Sequence, residues 1–547
     1  MTRDHSQGPA RHQACVPALE SIIAALRDPG AYPHPVGQVQ VLETHISFIL
    51  LAGAYAYKLK KPVNLGFLDF STLAQRRHFC HEEVRLNRRL APGLYLDVAQ
   101  VSEQAGQLGL HPQGEALEYA VRMRRFPHHA VLSAAEAPLE RHTIDRLAVQ
   151  IAAFHQRLPA AAPECPFGTP QRVLDPMLAN VQVLRTNPIN AASQPLIDSI
   201  EHWTRTRFAV LEPLLRARKA EGWIRECHGD LHRGNIALID GEPLIFDALE
   251  FNPALRWIDC ISDLAFLAMD LREIGERALE RRLINLYLEH TGDYAGLRLL
   301  AFYQVYRAMV RAKVCGIRLG QLSQAAAAAP EALQTRTQLD QYLHLALDYT
   351  TSHKQQIFIT HGLSGSGKTW LGRALSERLP LIQIRSDVER KRLFAALPDA
   401  QTSAQAGVQA GAIPDSQLYS RESSRLTYQR LLEQVEHILH SGYSVLVDAA
   451  FLRADQRAWF RALAQQHSCA FTILALSAPT EVLKERVTLR QERGDDVSDA
   501  DTQILARQHE KLQPLSADEE ACAIHLNTHS QAQIASFLRA MAGSDSD

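Results

Sequence analysis

The sequence predicts two unlike halves: an α+β, two-lobed N-terminal half and an α/β C-terminal half built on a doubly wound parallel sheet. Three patterns predict this. Short apolar runs broken by turns fill residues 36–130, apolar residues recur at helical spacing through most of 131–320, and from residue 355 onward apolar strands alternate with helical segments. At roughly 100–200 residues per domain, a chain of 547 residues makes several folding units. Its apolar share of 46% and charged share of 22% exclude the disordered, fibrous and low-complexity classes. Lys plus Arg (58) nearly balances Asp plus Glu (60). No global field therefore draws the chain to nucleic acid or an anionic membrane, and any phosphate-binding charge must be local.

Taken in order, residues 18–28 read as a short amphipathic helix, after which Pro33 and Pro35 break the pattern and the alternation through Val39 and Val41 starts a sheet. Residues 46–51 and 55–60 pair across the turn Ala52-Gly53-Ala54, a helix follows over 72–90, and a further strand pair is expected at 94–101 and 118–124. Helical periodicity then covers 135–158, 197–218 and 258–320. Between the last two lies 227–251, rich in Gly, Asp, Asn and His, with short strands at 236–239 and 244–246. Residues 321–354, with Ala325 to Ala329, Pro330 and a polar helical stretch before Lys354, have a composition that suits a connector better than a core. Beyond it, strands are expected at 357–360, 381–384, 444–447, 471–476 and 523–526. The expected domains are thus 1–130 (helix and sheet-rich lobe), 131–320 (helical lobe), a linker at 321–354, and 355–543. Eight scattered cysteines without a C-x-x-C pair read as reduced, buried thiols. Arg3, Asp4, His5 and Arg11 stand where a signal peptide would be apolar, and no run of 18 apolar residues follows, so a soluble, cytoplasmic protein is expected.

Gly362-Leu363-Ser364-Gly365-Ser366-Gly367-Lys368-Thr369 fits G-x-x-x-x-G-K-[ST] at every fixed position, between an expected strand and helix. Such a loop turns its backbone N–H groups, those of Gly362, Ser364, Gly365, Ser366 and Gly367 among them, toward a phosphate chain. Lys368 then reaches the β/γ oxygens and Thr369 can ligate Mg²⁺. Open α/β sheets bind at the carboxyl ends of their strands, so Asp387 faces the same crevice. It is placed to accept a hydroxyl proton while Arg390 holds the acceptor; the plainer alternative is a helix N-cap followed by a solvated basic face. Asp448 ends an apolar strand where a Walker B carboxylate acts on Mg²⁺. Arg486, Arg490 and Arg493 recur at helical spacing before the loop Gly494-Asp495-Asp496, as a lid over transferred phosphate or as solvated surface arginines. With these motifs, 355–541 resembles the small P-loop kinases grouped with gluconate kinase, zeta-toxin-like kinases and the kinase domain of polynucleotide kinase. The resemblance implies phosphorylation of an acceptor hydroxyl, with Asp387 of the D-x-x-R element as base or acceptor ligand.

In the first half, His228-Gly229-Asp230-Leu231-His232-Arg233-Gly234-Asn235 and Ile245-Phe246-Asp247 place two carboxylates and an amide in adjacent loops. The spacing from Asp230 to Asn235 is that of H-R-D-x-x-x-x-N, with Asp247 in the position of a D-F-G aspartate. Asp230 can accept a hydroxyl proton, while Asn235 and Asp247 can hold Mg²⁺. Upstream, Lys58 on a strand and Glu83 on the following helix are the pair expected to grip and orient nucleotide phosphates; Lys60 shares the face of Lys58, and Glu82 neighbours Glu83. Asp263, on the helix after the loops, is read as bracing the metal loop or capping its helix. These residues resemble the aminoglycoside phosphotransferase and choline kinase family within the protein-kinase-like fold, over about 36–320. That resemblance implies ATP- and Mg²⁺-dependent phosphoryl transfer to a hydroxyl. The chain departs from protein kinases in the turn Glu43-Thr44-His45-Ile46-Ser47, which has no glycine.

The order of the two halves resembles bacterial bifunctional proteins pairing a phosphotransferase with an ATP-binding domain. The expectation is a bifunctional phosphotransferase acting on small molecules that carry hydroxyls. Two alternatives stand beside it. One is a nucleotide-binding regulatory or toxin-neutralising protein. The other is a polynucleotide 5′-hydroxyl kinase in the C-terminal half, suggested by Arg385 and Arg390–Arg392, against which the near-neutral charge argues.

Overall fold

The computed structural model describes residues 18–66, 68–135, 138–187, 192–321, 330–395, 421–493 and 501–543. It divides into two units, Met1–Pro138 with His228–Arg256, and Leu139–Cys227 with Trp257–Asp547.

The first unit carries a six-stranded antiparallel sheet in the order Val39–Glu43, Ser47–Ala52, Tyr55–Lys60, Ala116–Arg124, Tyr95–Gln104, Gln107–Gly109. Its central hairpin pairs Ala52 with Tyr55 across a turn where Gly53 has φ +59° and an added Cβ would lie 2.7 Å from the Pro35 carbonyl. Period-2 alternation then sorts the side chains. Leu50, Ala52, Tyr57 and Leu59 join Ile22, Ile23 and Leu26 of the helix Leu19–Ala25 and its C-cap in one core. Lys58 and Lys60 therefore point to the other face, where the helix Leu73–Asn87 brings Glu83 against them. A reciprocal cap starts that helix, Thr72 Oγ1 accepting from the Gln75 N–H at 3.2 Å and Gln75 Oε1 from the Thr72 N–H at 3.1 Å. Arg76 fastens it to the sheet by donating from Nε to both Glu118 oxygens at 3.0 and 2.8 Å. Ile236–Ile239 and Glu242–Ile245 form a second hairpin, whose Asp240-Gly241 turn has φ +52° and +78°, the conformation that an Asp-Gly pair favours.

The second unit begins with helices. Arg141–Arg157 and Gln194–Ala220 follow the expected periodicity. Pro170–Thr186 is a helix that the sequence analysis did not anticipate; Pro170 stands in its first turn, where proline is preorganised and no N–H is missed. Cys260–Glu273, Arg277–Thr291 and Leu300–Gln321 complete the bundle. Arg218, only 1% exposed, forks onto two buried carboxylates, Asp259 at 2.6 and 2.8 Å and Asp293 at 2.7 and 2.8 Å. Asp259, rather than Asp263, caps the helix Cys260–Glu273 by accepting from the Ile261 N–H at 2.9 Å. Asp263 instead contacts His155 at 3.2 Å, tying two helices together.

The polar helical stretch expected in the connector is present, and it packs into the core. Within 321–354, Pro330–Asp348 is a helix whose Leu339, Leu343 and Ala346 are buried with Phe266, Val305 and Met309, so its apolar stripe closes the helical core. Ala325 to Ala329 lie outside the described residues. The remainder of this unit is a five-stranded parallel sheet in the order Leu381–Arg385, Ser444–Asp448, Gln356–His361, Ala470–Ser477, Ala523–Asn527. Its first strand in chain order is central, which puts the strand-order reversal at the end of Gln356–His361. Asn285 satisfies the outer edge of Leu381–Arg385, donating to the Leu381 carbonyl at 3.1 Å and accepting from the Gln383 N–H at 2.8 Å.

None of the seven described cysteines forms a disulfide; Cys165, Cys469 and Cys522 are half-buried rather than buried. Among the described residues no helix is long and apolar enough to cross a membrane.

Candidate active sites

The loops after Glu226 and after Ile245 meet the lysine face of the antiparallel sheet. Lys58 Nζ lies 2.9 Å from Glu83 and 2.7 Å from Asp247. Lys60 Nζ lies 2.7 Å from the other Glu83 oxygen and also contacts Glu250. Burial alone would raise the Glu83 carboxyl, but the two lysine charges prevail and hold it down to about 2. Burial likewise works against a charged Lys58, and Asp247 and Glu83 more than offset it, so its pKa is raised. The resulting array of two ammonium groups and three carboxylates fixes Lys58 as a cation.

Asp230 accepts from Asn235 Nδ2 at 3.0 Å through its carboxylate and at 2.9 Å through its carbonyl. His232 Nε2 lies 3.4 Å from the same carboxylate. His228 holds the loop from behind: Nε2 is 2.9 Å from the Phe246 carbonyl and Nδ1 accepts from the Asp230 N–H at 3.3 Å. These two bonds are consistent with a proton on Nε2. Asp247 has φ +63°, a left-handed backbone uncommon outside glycine, and its N–H donates to Tyr95 Oη at 3.1 Å. The side chains of Asp230 and Asp247 are 33% and 41% exposed. A hydroxyl and a cation can thus reach them from solvent, and the carboxylate and amide oxygens of Asp247 and Asn235 suit a hard ion such as Mg²⁺.

At the carboxyl end of Gln356–His361, Gly362, Gly365 and Gly367 have φ +156°, +82° and +85°. A Cβ on Gly362 would lie 2.5 Å from the Leu476 carbonyl, and one on Gly365 2.7 Å from that of Leu483, so the loop tolerates no side chain there. Ser366 Oγ is buried without a hydrogen-bond partner among the described residues, and the Ser364 N–H donates to Gln508 Oε1 at 2.8 Å. Lys368 Nζ donates to the Gly362 and Leu363 carbonyls at 3.0 and 2.8 Å. Burial lowers its pKa although Asp448 and Asp387 oppose the shift. Thr369 Oγ1 donates to Asp448 at 2.7 Å and Gln383 Nε2 donates to the same oxygen at 3.1 Å. That hydroxyl and carboxylate fit Mg²⁺, and the glycine loop fits a phosphate chain.

Asp387 stands in the first turn of Ser386–Ala395 and accepts from Arg390 at 2.9 Å. Arg486 is not poised over the loop. It donates to the Gly365 carbonyl at 3.1 Å and to Thr528 at 3.0 and 3.2 Å, bonds that brace the loop. Arg490 is the lid candidate whose charge reaches Lys368; the Arg493 side chain and the loop Gly494-Asp495-Asp496 lie outside the described residues. Arg385 is turned inward and Arg392 is half-buried. Arg385, 4% exposed, lies 2.9 Å from Glu289 and 3.8 Å from Asp448, and Arg392 binds Glu389 and the Glu289 carbonyl. Of the basic cluster, Arg385 and Arg392 are thus engaged by acidic and carbonyl partners, while Lys391 is exposed.

Sequence reasoning placed Lys60 on the face of Lys58 but missed Glu250 and Gln383 as members of these arrays. Period-2 alternation with Lys58 carried the signal for Lys60; Glu250 and Gln383 are brought in by tertiary contacts with no motif of their own.

Residues 68–300 match the phosphotransferase enzyme family, and residues 357–515 match an AAA domain. Over 485 residues the chain is 34% identical to the uncharacterized protein Rv2004c of Mycobacterium tuberculosis, taking in 86% of this chain and 90% of that protein. The chain belongs to this family. This chain carries an N-terminal phosphotransferase-family domain followed by a C-terminal P-loop kinase domain. Among solved structures, the GDP and kanamycin complex of APH(2")-IIia is similar at 15% identity, covering 60% of this chain and 97% of that one, with a TM-score of 0.37. A gluconokinase from Sinorhizobium meliloti is similar at 18% identity, covering 35% and 92%, with a TM-score of 0.25.

Proposed function

We propose that this member of the family is a two-site, ATP- and Mg²⁺-dependent phosphotransferase that moves the γ-phosphoryl group to hydroxyls of small molecules. The observation that carries the reading is the doubling of one chemical set. Lys58 with Asp230, Asn235 and Asp247 supplies a phosphate cation, a base and oxygen ligands; Lys368 with Asp387, Thr369 and Asp448 supplies the same. Bound magnesium would neutralise triphosphate charge at each site, held by Asn235 and Asp247 in one and by Thr369 and Asp448 in the other.

In the first site Asp230 accepts the acceptor's hydroxyl proton as the new O–P bond forms and the bond to the departing nucleoside diphosphate breaks. Asn235 fixes the carboxylate, and Lys58, oriented by Glu83, stabilises phosphate oxygens. In the second, Asp387 takes the equivalent proton with Arg390 beside it, and Arg490 adds positive charge near the transferred group. The gluconokinase and kanamycin-bound relatives make a polyhydroxylated acceptor the class to try first.

ADP release by the full-length protein, measured across a panel of sugars, aminoglycosides and amino alcohols, tests this. An acceptor served by the C-terminal site is expected to lose its stimulation in Asp387→Asn and keep it in Asp230→Asn. A panel in which no hydroxyl compound stimulates ADP release, or in which both variants match wild type, contradicts the reading.

A further inference from the structure

A cavity of about 350 Å³ opens away from the Lys368 array, between the helical bundle and the amino ends of the parallel strands. Gln355, Leu381 and Tyr443, which begin or immediately precede three adjacent strands, line it. The glycine loop lies at the opposite end of the sheet, about 17 Å away for a six-residue strand, so the cavity is not part of the nucleotide crevice.

Its charge is unbalanced. The carboxylates in the wall, Glu280 and Asp348, both engage Arg272, at 3.5 and 2.5 Å. The guanidinium of Arg207, also in the wall, makes no hydrogen bond or ion pair with any described residue. Arg298 Nε is buried without a hydrogen-bond partner among the described residues. Burial, and the charge of Arg298, lower the pKa of Arg207; His437 is lowered by burial and by its cationic neighbours Arg430, Arg298 and His440. Arg281 adds a further positive group to the wall. Desolvated cations that repel one another are costly unless an anion joins them, and arginine is the side chain best matched to phosphate oxygens. The volume exceeds that of a phosphate alone and lies in the range of small-molecule pockets, with Trp203, Tyr349 and Tyr443 offering apolar wall.

We infer that this cavity is a binding site for a phosphorylated small molecule, whose phosphate is held by Arg207 in the field of Arg298 and Arg281. Occupancy links the helical bundle to the sheet edge, because Asn285 lines the cavity and also bonds Leu381 and Gln383, and Gln383 in turn contacts Asp448. The inference does not depend on phosphoryl transfer at either array.

The test uses the full-length protein saturated with Mg·AMP-PNP and inorganic phosphate as probe, followed by ³¹P line broadening. Wild type is expected to show saturable binding that Arg207→Gln and Arg298→Gln each weaken at least tenfold, while Arg172→Gln, an exposed residue elsewhere, leaves it unchanged. Without phosphate, Arg207→Gln is expected to melt no lower than wild type, since the change removes a desolvated charge; added phosphate should raise the melting temperature of wild type and not of the variant. No saturable phosphate binding by wild type, or equal binding by wild type and both arginine variants, overturns the inference. So does loss of the phosphate signal in Lys368→Met with Arg207 intact, which would place the probe in the glycine loop.

Discussion

Full-length protein carrying Asp230→Asn is expected to bind nucleotide at the N-terminal site as wild type does and to transfer phosphoryl from it about 10²–10⁴-fold more slowly, a barrier increase of about 3–5 kcal/mol. The two halves of the prediction rest on different groups. Nucleotide grip depends on Lys58, which touches Glu83 and Asp247 and not Asp230. The proton acceptor is the Asp230 carboxylate, and an amide of the same size still accepts the 3.0 Å bond from Asn235 while lacking the basicity to remove a hydroxyl proton. Single-turnover transfer measured beside equilibrium nucleotide binding separates the two. Transfer at the wild-type rate removes Asp230 from the chemistry; loss of binding as well would make it a structural residue of the loop.

The second large effect is expected at the other site. Lys368→Met removes the buried ammonium aimed along the glycine loop, whose bonds run to the Gly362 and Leu363 carbonyls. A charge-assisted contact to phosphate contributes about 1.5–3 kcal/mol, so affinity for Mg·AMP-PNP at this site should fall about 10–100-fold, with a further ~10²–10³-fold loss of turnover as transition-state charge goes uncompensated. Transfer from the N-terminal site should be unchanged. Fluorescent-nucleotide titration and acceptor-specific product formation measure the two parts, and a variant with wild-type affinity would show that the loop holds phosphate through backbone N–H groups alone.

Much of this architecture is legible in the chain because local signals agree with the fold. The phosphate loop follows from eight contiguous residues, and the five parallel strands from apolar runs within one or two residues of those observed. The antiparallel hairpin and the placement of Lys58 opposite Glu83 follow from period-2 alternation and one helix. What escaped the sequence depends on contacts between distant segments. Pro170–Thr186 contains Pro170 and Pro176, residues that read as breaks although the first is favourable in an opening turn. The helix Pro330–Asp348 has a polar composition that hides a stripe of Leu339, Leu343 and Ala346. Arg486 sits at lid spacing, yet its partners, the Gly365 carbonyl and Thr528, lie 121 and 42 residues away. The outer edge strand is another case, since nothing in residues 381–385 announces that Asn285 and Glu289 will satisfy it.

The claim that most of this rests on is that one chain carries two separate nucleotide pockets, and titration calorimetry of the full-length protein with Mg·AMP-PNP tests it most directly. Wild type is expected to bind two equivalents per chain, with the C-terminal equivalent selectively weakened by Lys368→Met and the N-terminal one by Lys58→Met. A wild-type chain that binds a single equivalent, or none, contradicts it.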